Sequence, residues 1–462
     1  MTRCGSRVRR NRTMPVLVMF ATAALAGCQF RRAAAAPVRV AYGDVWADSA
    51  GGAVRVALAA GVLSGRLSAT GEWQLFRSGG TVLLVRGTGR GVWTVDRRGD
   101  RLRIVGGGGK SAVRDGPLVA RALGPRTFVT WNGKRYRGEL VISPAAGGEG
   151  LLVINRIAVE DYLRGVVPLE LGDVTSAERA ALEAQAVAAR SYTYARLEDV
   201  DAPGRPYDLV ATTTDQVYGG AGVETQLADE AVVATEGQVL TYDGRIVNAP
   251  YHSSCGGSTA EPDEVWRESP LPYLQRVSDR VPGTDHYYCE GAAAFRWTRT
   301  FTRAQLAAAV DRYLPAYAGI AESGVGRVRL VVADPTTPSG RVAGVTIVTD
   351  RGRYHVRGND VRFVLRSPAG EILNSTSFSI ESTVGADGRV ASLTLHGAGN
   401  GHGVGMCQWG AIGRARAGQD YRTILATYYP GTTLAPVTAA TAAPPAPPAP
   451  PAPPATMQSG GQ

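Results

Sequence analysis

The chain has 462 residues, of which 44% are hydrophobic and 19% are charged, and its formal net charge is +10. That is enough apolar material to bury a sizeable core and to build two or three domains. The basic residues are scattered and are not interleaved with aromatic residues, so the sequence predicts no nucleic-acid-binding surface.

The first 28 residues have the pattern of an export signal. Five arginines precede an uncharged run from Met14 to Ala26, and the segment ends in Leu-Ala-Gly-Cys at Cys28. A basic start, a short apolar run and small residues before the cleavage point are typical of a secretory signal peptide. The ending resembles the bacterial lipobox, which implies acylation of Cys28; an ordinary signal peptide with a chance cysteine is the alternative. We expect a signal peptide at 1–27 and an exported lipoprotein of the bacterial cell envelope, anchored to a membrane by lipid.

Removal of 1–27 takes away five arginines and no acidic residue, so the charge falls from +10 to about +5. An anionic wall polymer could be a partner, but this excess is modest.

Short β-type runs dominate the segment that follows. Residues 28–52 are predicted to be a tether, and 53–125 a β-rich N-terminal domain with runs such as VRVALA, WQLF and TVLLVRG separated by glycines. Asn132-Gly133 between two strand-like runs predicts a β-hairpin.

The clearest helix begins near Thr175, which has capping-box spacing to Glu178. The alanine-rich segment after it has apolar residues on most sides, which predicts a central buried helix over 176–200. A second helix is expected at Arg303 to Tyr313 and strands return over 326–396. The Pro/Ala-rich tail, 435–462, is predicted to be disordered. We therefore expect an α+β fold, with a β-rich N-terminal portion and a mixed domain over 126–434.

Glu170 stands out because it lies in the apolar sequence RGVVPLELG, residues 164–172. Burial against Val166, Val167, Leu169 and Leu171 would disfavour the charged form and raise the pKa of the carboxyl. Such a carboxyl can act as a general acid near neutral pH, as the buried catalytic glutamate of lysozyme does. The alternative is a glutamate that only caps or salt-bridges near the helix start.

Three stretches together resemble one protein family. They are INRIAVEDYLRGVVPLEL with EAQAVAARSYTYAR, TTTDQVYGG, and GHGVGMCQWGAIGRARAG with ILATYYPGTTL. In this order they are similar to the stage II sporulation protein D family, also called the LytB or amidase-enhancer domain, from about residue 126 to 434. The departures are conservative: Cys407 stands for the usual serine, Trp409 for a tyrosine and Leu171 for a common methionine.

The resemblance implies cleavage of peptidoglycan glycan strands by a lytic transglycosylase, with Glu170 as the catalytic acid. An ordinary glycoside hydrolase needs a second carboxylate, and none stands out among Glu160, Asp161 and Asp173. A lytic transglycosylase needs only one, because the 6-hydroxyl of muramic acid is the nucleophile and a 1,6-anhydro end forms. No cofactor is required for this reaction.

Two other functions stay open. Some members of the family have been regarded as non-catalytic, peptidoglycan-binding enhancers of an N-acetylmuramoyl-L-alanine amidase, which would then be a partner. A purely structural wall-binding lipoprotein is the third possibility.

Seven residues are predicted to contact the glycan, each with a structural alternative in which its partners are internal. They are Gln185, Arg190, Gln216, Tyr218, His402, Gln408 and Trp409. His402 and Cys407 in one loop could suggest a cysteine hydrolase, but such a pair usually comes from separate segments. The glycines at 399, 401, 403 and 405 are expected to let the backbone approach a ligand closely.

The cysteines Cys255 and Cys289 occur in two His-x-x-Cys pairs, HSSC and HYYC. In an exported protein a disulfide between them is the first expectation. A structural zinc ion held by His252, Cys255, His286 and Cys289 is the second, and free thiols are the third.

Overall fold

The computed structural model describes residues 52–438 apart from 78–79, 90, 107–108, 199–204 and 321–323. It confirms an α+β fold with a β-rich N-terminal part. The signal peptide, Cys28, and the tether and tail except for Gly52 and 435–438 lie outside the described residues. Within the described part of the chain, no helix has the length and apolar character needed to span a bilayer.

The strands are β1 Ala53–Val62, β2 Ser64–Ala69, β3 Trp73–Arg77, β4 Val82–Gly87, β5 Trp93–Arg98, β6 Arg101–Val105, β7 Ser111–Asp115, β8 Leu118–Ala122, β9 Val129–Trp131, β10 Lys134–Tyr136, β11 Glu139–Pro144, β12 Leu151–Ala158, β13 Leu209–Val210, β14 Gln238–Tyr242, β15 Arg245–Ile246, β16 Tyr251–His252, β17 Arg296–Thr302, β18 Val328–Ala333, β19 Gly344–Thr349, β20 Arg353–Arg357, β21 Phe378–Val384, β22 Val390–Ala398, β23 Met406–Cys407 and β24 Thr433–Pro436. The helices are α1 Val159–Arg164, α2 Val167–Leu171, α3 Arg179–Leu197, α4 Gln226–Ala234, α5 Pro262–Val265, α6 Arg303–Ala318, α7 Asp360–Val364, α8 Gln408–Arg416 and α9 Tyr421–Tyr428.

Two sheets dominate the first third of the described chain, in the orders β13-β1-β12-β11-β8-β3-β4 and β10-β9-β2-β5-β6-β7. Both contain strands from each side of the predicted boundary between 125 and 126. Strand β1 pairs with β12, from Ala53 opposite Ala158 to Val62 opposite Leu151. The predicted separate N-terminal β domain is therefore wrong, because its strands need partners from the segment that follows.

Strand β12 is buried along seven of its eight residues, LLVINRI. Alternate side chains point to opposite faces of a sheet. Accordingly, Leu151 and Val153 join the main hydrophobic core, while Leu152 and Ile154 pack in a smaller cluster on the other face. This covered strand leads directly into α1 and α2 and so anchors them to the core.

Helix α3 is the central helix that the sequence predicted. A 3₁₀ turn, Ser176–Glu178, precedes it, and Thr175 and Glu178 form the expected capping box. Buried residues lie on most sides of α3, including Ala184, Val187 and Ala188. The helix begins at Arg179, three residues later than predicted, because the first turn is 3₁₀.

Residues 296–398 contribute a second hydrophobic cluster of their own. It is built from α6, α7 and the sheets β17-β22-β21 and β18-β19-β20. The helix predicted at Arg303 to Tyr313 is confirmed and extends to Ala318.

The tail begins later than predicted. Ala435 and Pro436 belong to β24, which pairs with β14, and the Val437 amide donates to the carbonyl of Gly237 at 2.8 Å.

Candidate active site

Glu170 lies on α2, a five-residue helix that begins just before Pro168. Proline suits the first turn of a helix, where its missing N–H would have no intrahelical acceptor. Val166 and Val167 are fully buried and Leu171 nearly so, which holds this short helix against the core. Leu169 is 41% exposed, so it is the least buried of the four apolar residues that were expected to enclose the carboxyl.

The Glu170 carboxyl is partly buried, with one hydrogen bond to each oxygen. The backbone N–H of Val217 donates to Oε1 at 2.7 Å, and Nε2 of Gln408 donates to Oε2 at 3.3 Å. Burial raises the pKa of Glu170 above its ordinary value, and these two hydrogen bonds oppose the rise without cancelling it. The carboxyl is therefore fixed in orientation and holds its proton more tightly than a solvated glutamate.

Gln408 is the first residue of α8 and connects Glu170 to the central helix. Its Nε2 also donates to Oε1 of Gln185, at 3.3 Å, and Gln185 on α3 is fully buried. The structure thus brings together Glu170, Gln185 and Gln408, which lie far apart in the sequence. The predicted glycan contact of Gln185 is corrected, because its side chain is fully buried, whereas that of Gln408 stays a prediction. The carboxyl orientation depends on how α3 and α8 pack against each other.

Gln216 lies in the loop before Val217, but its side chain is internal. It is fully buried, accepts from the hydroxyls of Tyr162 and Thr193 at 3.0 Å, and donates to the hydroxyl of Tyr251 at 3.0 Å. The prediction of a glycan contact for Gln216 is corrected, because its amide is used to fix the loop whose backbone binds Glu170.

Tyr218 is also internal. Its hydroxyl donates to Oδ1 of Asn155 at 2.7 Å, and its ring packs against Tyr162 at a centroid distance of 4.9 Å. With 6% of its surface exposed, it is a core residue and not the predicted glycan contact.

Arg190 on α3 is fully buried and forms two hydrogen bonds of 2.7 Å with Glu160. It also donates to the carbonyl of Gln238 at 3.1 Å. The predicted glycan contact is corrected here too, because this guanidinium ties α1 to α3 and β14.

His402 uses both ring nitrogens on the backbone. Nε2 donates to the carbonyl of Tyr251 at 2.9 Å, and Nδ1 accepts from the N–H of Val404 at 3.1 Å. Burial lowers the pKa of His402 to about 3, so the ring is neutral. Its predicted contact with a glycan is corrected, since neither nitrogen is left for a ligand.

Trp409 is partly buried, and its backbone N–H, not its indole, donates to the carbonyl of Ser253 at 3.0 Å. The role of its indole as a sugar-stacking surface stays a prediction.

The glycine-rich loop serves packing within the protein. A Cβ on Gly403 would come within 2.2 Å of the Arg341 guanidinium, and one on Gly405 within 2.0 Å of the Pro250 carbonyl. Both glycines have positive φ. The close approach predicted for a ligand is instead made by the chain itself.

The cysteine predictions are corrected in two respects. Cys255 and Cys289 are free, with Sγ atoms 3.5 Å apart, so no disulfide joins them. The proposed set of two histidines and two cysteines is not assembled either: His286 is exposed and its Nδ1 lies 3.1 Å from the carboxylate of Glu290. His252 has its Nδ1 3.2 Å from the carbonyl of Val404.

Sequence reasoning missed two residues that organise this region. Tyr251 holds the amide of Gln216, and Asp279 lies beside the cysteines, with Oδ2 3.2 Å from Sγ of Cys255. The position of Asp279 between two cysteines was the available signal.

Comparison with known proteins gives two family matches along the chain. Residues 147–242 match the stage II sporulation protein family and 282–405 a domain of unknown function, DUF8618. An uncharacterized protein of Brachyspira hyodysenteriae is 31% identical over 66% of this chain and 73% of its own length. The amidase enhancer of Bacillus subtilis is also 31% identical over 66% of this chain, and stage II sporulation protein D of the same species is 28% identical over 62%.

The chain belongs to the stage II sporulation protein D and amidase enhancer family. It spans 77% of the length of the Bacillus subtilis sporulation protein but only 45% of the length of the amidase enhancer. The match over 147–242 includes Glu170 and the loop of Val217, two of the segments that form the candidate site.

Proposed function

We propose that this protein is an exported peptidoglycan lytic transglycosylase in which Glu170 acts as the single general acid and base. The observation that carries the proposal is a carboxyl whose pKa is raised by burial while Val217 and Gln408 fix its orientation. Departure of a glycosidic oxygen requires a proton donor, and a raised pKa increases the fraction of the carboxyl that carries its proton.

The surroundings of Glu170 favour one carboxylate over two. Glu160 is paired with Arg190 at 2.7 Å, and Asp161 lies 3.7 Å from Arg164. Asp173 is exposed in the loop after α2. These three neighbours in sequence are therefore engaged elsewhere or solvated, which supports a reaction that uses the Glu170 carboxyl alone.

In the proposed reaction, Glu170 gives its proton to the glycosidic oxygen as the bond from that oxygen to C1 of muramic acid breaks. The muramic 6-hydroxyl then attacks C1, and the Glu170 carboxylate takes the hydroxyl proton. No water is consumed, the glutamic acid is regenerated and a 1,6-anhydro end forms.

Export and acylation of Cys28 belong to the same proposal. Incorporation of a labelled fatty acid into the wild type, and its loss in Cys28→Ser, tests the lipid anchor.

Glu170→Gln tests the assignment, because glutamine keeps the shape and hydrogen bonding but has no transferable proton. We expect release of anhydro-muropeptides from purified sacculi to fall by roughly 10²–10⁴-fold. Asp173→Asn is the matched control, an exposed carboxylate in the loop that follows α2, and should cleave at the wild-type rate. Mass spectrometry of the products measures both, and wild-type release by Glu170→Gln would refute the role of Glu170.

Enhancement of an amidase is the second candidate function, favoured by the 31% identity to a protein named amidase enhancer. In that case the purified chain would give no anhydro ends alone, yet would accelerate release of stem peptides by an added wall amidase. The two product types separate the functions in one experiment.

A further inference from the structure

Three cysteines and one aspartate that the glycan chemistry does not use meet in the interior. Donor atoms of Cys255, Asp279, Cys289 and Cys407 all lie within 4.8 Å of one another. Each of the four residues is at most 3% exposed. We propose that they bind one structural zinc ion through three thiolates and one carboxylate, a site different from the histidine-containing set that the sequence suggested.

The distances suit a tetrahedral ion. Zinc–sulfur bonds of about 2.3 Å at tetrahedral angles place two sulfurs about 3.8 Å apart. The Sγ atoms of Cys255 and Cys289 are 3.5 Å apart, and Oδ2 of Asp279 is 3.2 Å from Sγ of Cys255. A disulfide would need about 2 Å between sulfurs and would leave the third thiol and the aspartate unexplained. The four donors are therefore gathered as ligands around a small central space.

The surroundings orient these donors, as the outer partners of metal ligands do. Oδ1 of Asp279 accepts from the hydroxyl of Tyr428 at 2.6 Å and from Nη2 of Arg414 at 3.2 Å, which leaves Oδ2 turned towards the cysteines. Sγ of Cys407 accepts from the backbone N–H of Cys255 at 3.2 Å and of Gly410 at 3.3 Å. Such N–H groups stabilise a thiolate more than a neutral thiol.

Charge supports the same assignment. Three thiolates and a carboxylate carry four negative charges, of which a zinc ion neutralises two. Arg414 beside Asp279 and the fully buried Arg341, whose Nη2 lies 3.4 Å from the carbonyl of Cys255, can neutralise the rest. Nε and Nη1 of Arg341 have no hydrogen-bond partner within the part of the chain that the structure describes. Burying such a cation is costly without compensating negative charge, and the zinc-bound thiolates provide it.

The ion would join three segments of the chain. Cys255 follows β16, Asp279 and Cys289 come from the loops before β17, and Cys407 immediately precedes Gln408, which binds Glu170. Zinc would thus fix the start of α8, and with it the donor to the proposed acid. The metal site itself does not depend on the proposed glycan cleavage, since its occupancy is measured directly.

Metal analysis of the full chain, produced without chelators, tests the proposal. We expect about one zinc ion per chain, and X-ray absorption at the zinc edge should give three sulfurs near 2.3 Å and one oxygen near 2.0 Å. Mapping of alkylated peptides should show Cys255, Cys289 and Cys407 reduced. A Cys255–Cys289 disulfide, three free thiols without metal, or a shell with two sulfurs and two nitrogens would each overturn the site.

Variants separate the proposed ligands from the histidine alternative. Cys289→Ser and Asp279→Asn should lower the zinc content or weaken retention against a chelator by at least tenfold. His286→Ala, at an exposed position in the same loop, should retain zinc like the wild type. If the ligand variants fail to fold, the absorption spectrum of the wild type still decides between the two ligand sets. Zinc present without glycan cleavage would sustain this inference and refute the proposed function alone.

Discussion

Glu170 carries its carboxyl in a partly buried position, and this should cost stability whenever the group is charged. Its folded-state pKa lies above the ordinary value of 4.5 because of burial. The folded protein therefore holds the proton over a pH range in which the unfolded chain has lost it. From this group alone, the free energy of unfolding falls as pH rises from about 4.5 through the folded pKa, and is constant above it.

Glu170→Gln removes that pH-dependent cost, so we predict a variant that is more stable than the wild type near pH 8. The advantage should shrink as the pH is lowered towards the ordinary pKa of a glutamate. Urea unfolding across this range, with Asp173→Asn as the control, measures the difference. An advantage that is absent at high pH, or that grows on acidification, would contradict a raised pKa. Because the readout is unfolding, it is independent of any assay for cleavage.

The sequence indicated that the Glu170 carboxyl is partly buried, but not which partners the polar residues near it would have. The apolar setting of Glu170 is local and visible in VVPLEL. Gln185 and Arg190 are both polar positions in one alanine-rich helix, and nothing local tells which of them turns towards Gln408 and which towards Glu160. Those partners are 223 and 30 residues away in the chain.

Among the helices, α3 holds the site together, and Arg190 connects it to α1 and β14. Arg190 is fully buried and paired with Glu160, and removal of one partner from a buried pair leaves an uncompensated charge. We predict that Arg190→Ala lowers the free energy of unfolding by about 3–5 kcal/mol. The reason lies in desolvation, since Glu160 would stay partly buried without its cation.

The matched control is on the same helix. Arg179 forms an exposed pair with Glu183 one turn away, at 2.9 Å, and Arg179→Ala should lower the free energy of unfolding far less than Arg190→Ala, because solvent screens this pair. Urea denaturation measures both variants. Equal losses for Arg190→Ala and Arg179→Ala would show that the buried pair contributes no more than a surface one.

Short sequence motifs correctly predicted those turns and helix starts whose geometry depends only on residues a few positions apart. The capping box at Thr175 and the Asn132-Gly133 turn are both present, the latter with positive φ at both residues. The glycine-rich loop was misinterpreted because positive φ and close approach are visible in a sequence, whereas the group being approached is not. Here that group is the chain at Pro250 and Arg341.

For the molecule as a whole, the two large sheets make the N-terminal strands part of the fold that carries Glu170. Strand β12 lies between β1 and β11, and leads into α1. A sequence read strand by strand cannot show this, because pairing between β1 and β12 joins residues about a hundred positions apart. The predicted boundary at 125/126 therefore marks a change in the sequence pattern, whereas the strands on both sides of it contribute to one hydrophobic core.

This arrangement predicts the outcome of truncation. A chain of residues 126–438 would lose β1 to β8, and β12, without its partner β1, would be left with an unpaired edge. Unpaired edges promote aggregation, and the hydrophobic core that holds Leu151 and Val153 would lose the residues that β1 to β8 contribute to it. We expect this fragment to be insoluble or to lack a cooperative thermal transition, whereas residues 52–438 should unfold cooperatively. Circular dichroism and solubility measure the two fragments side by side. Cooperative unfolding of 126–438 would show that the segment carrying Glu170 folds without the N-terminal strands, and that their pairing with β12 is not required for the site.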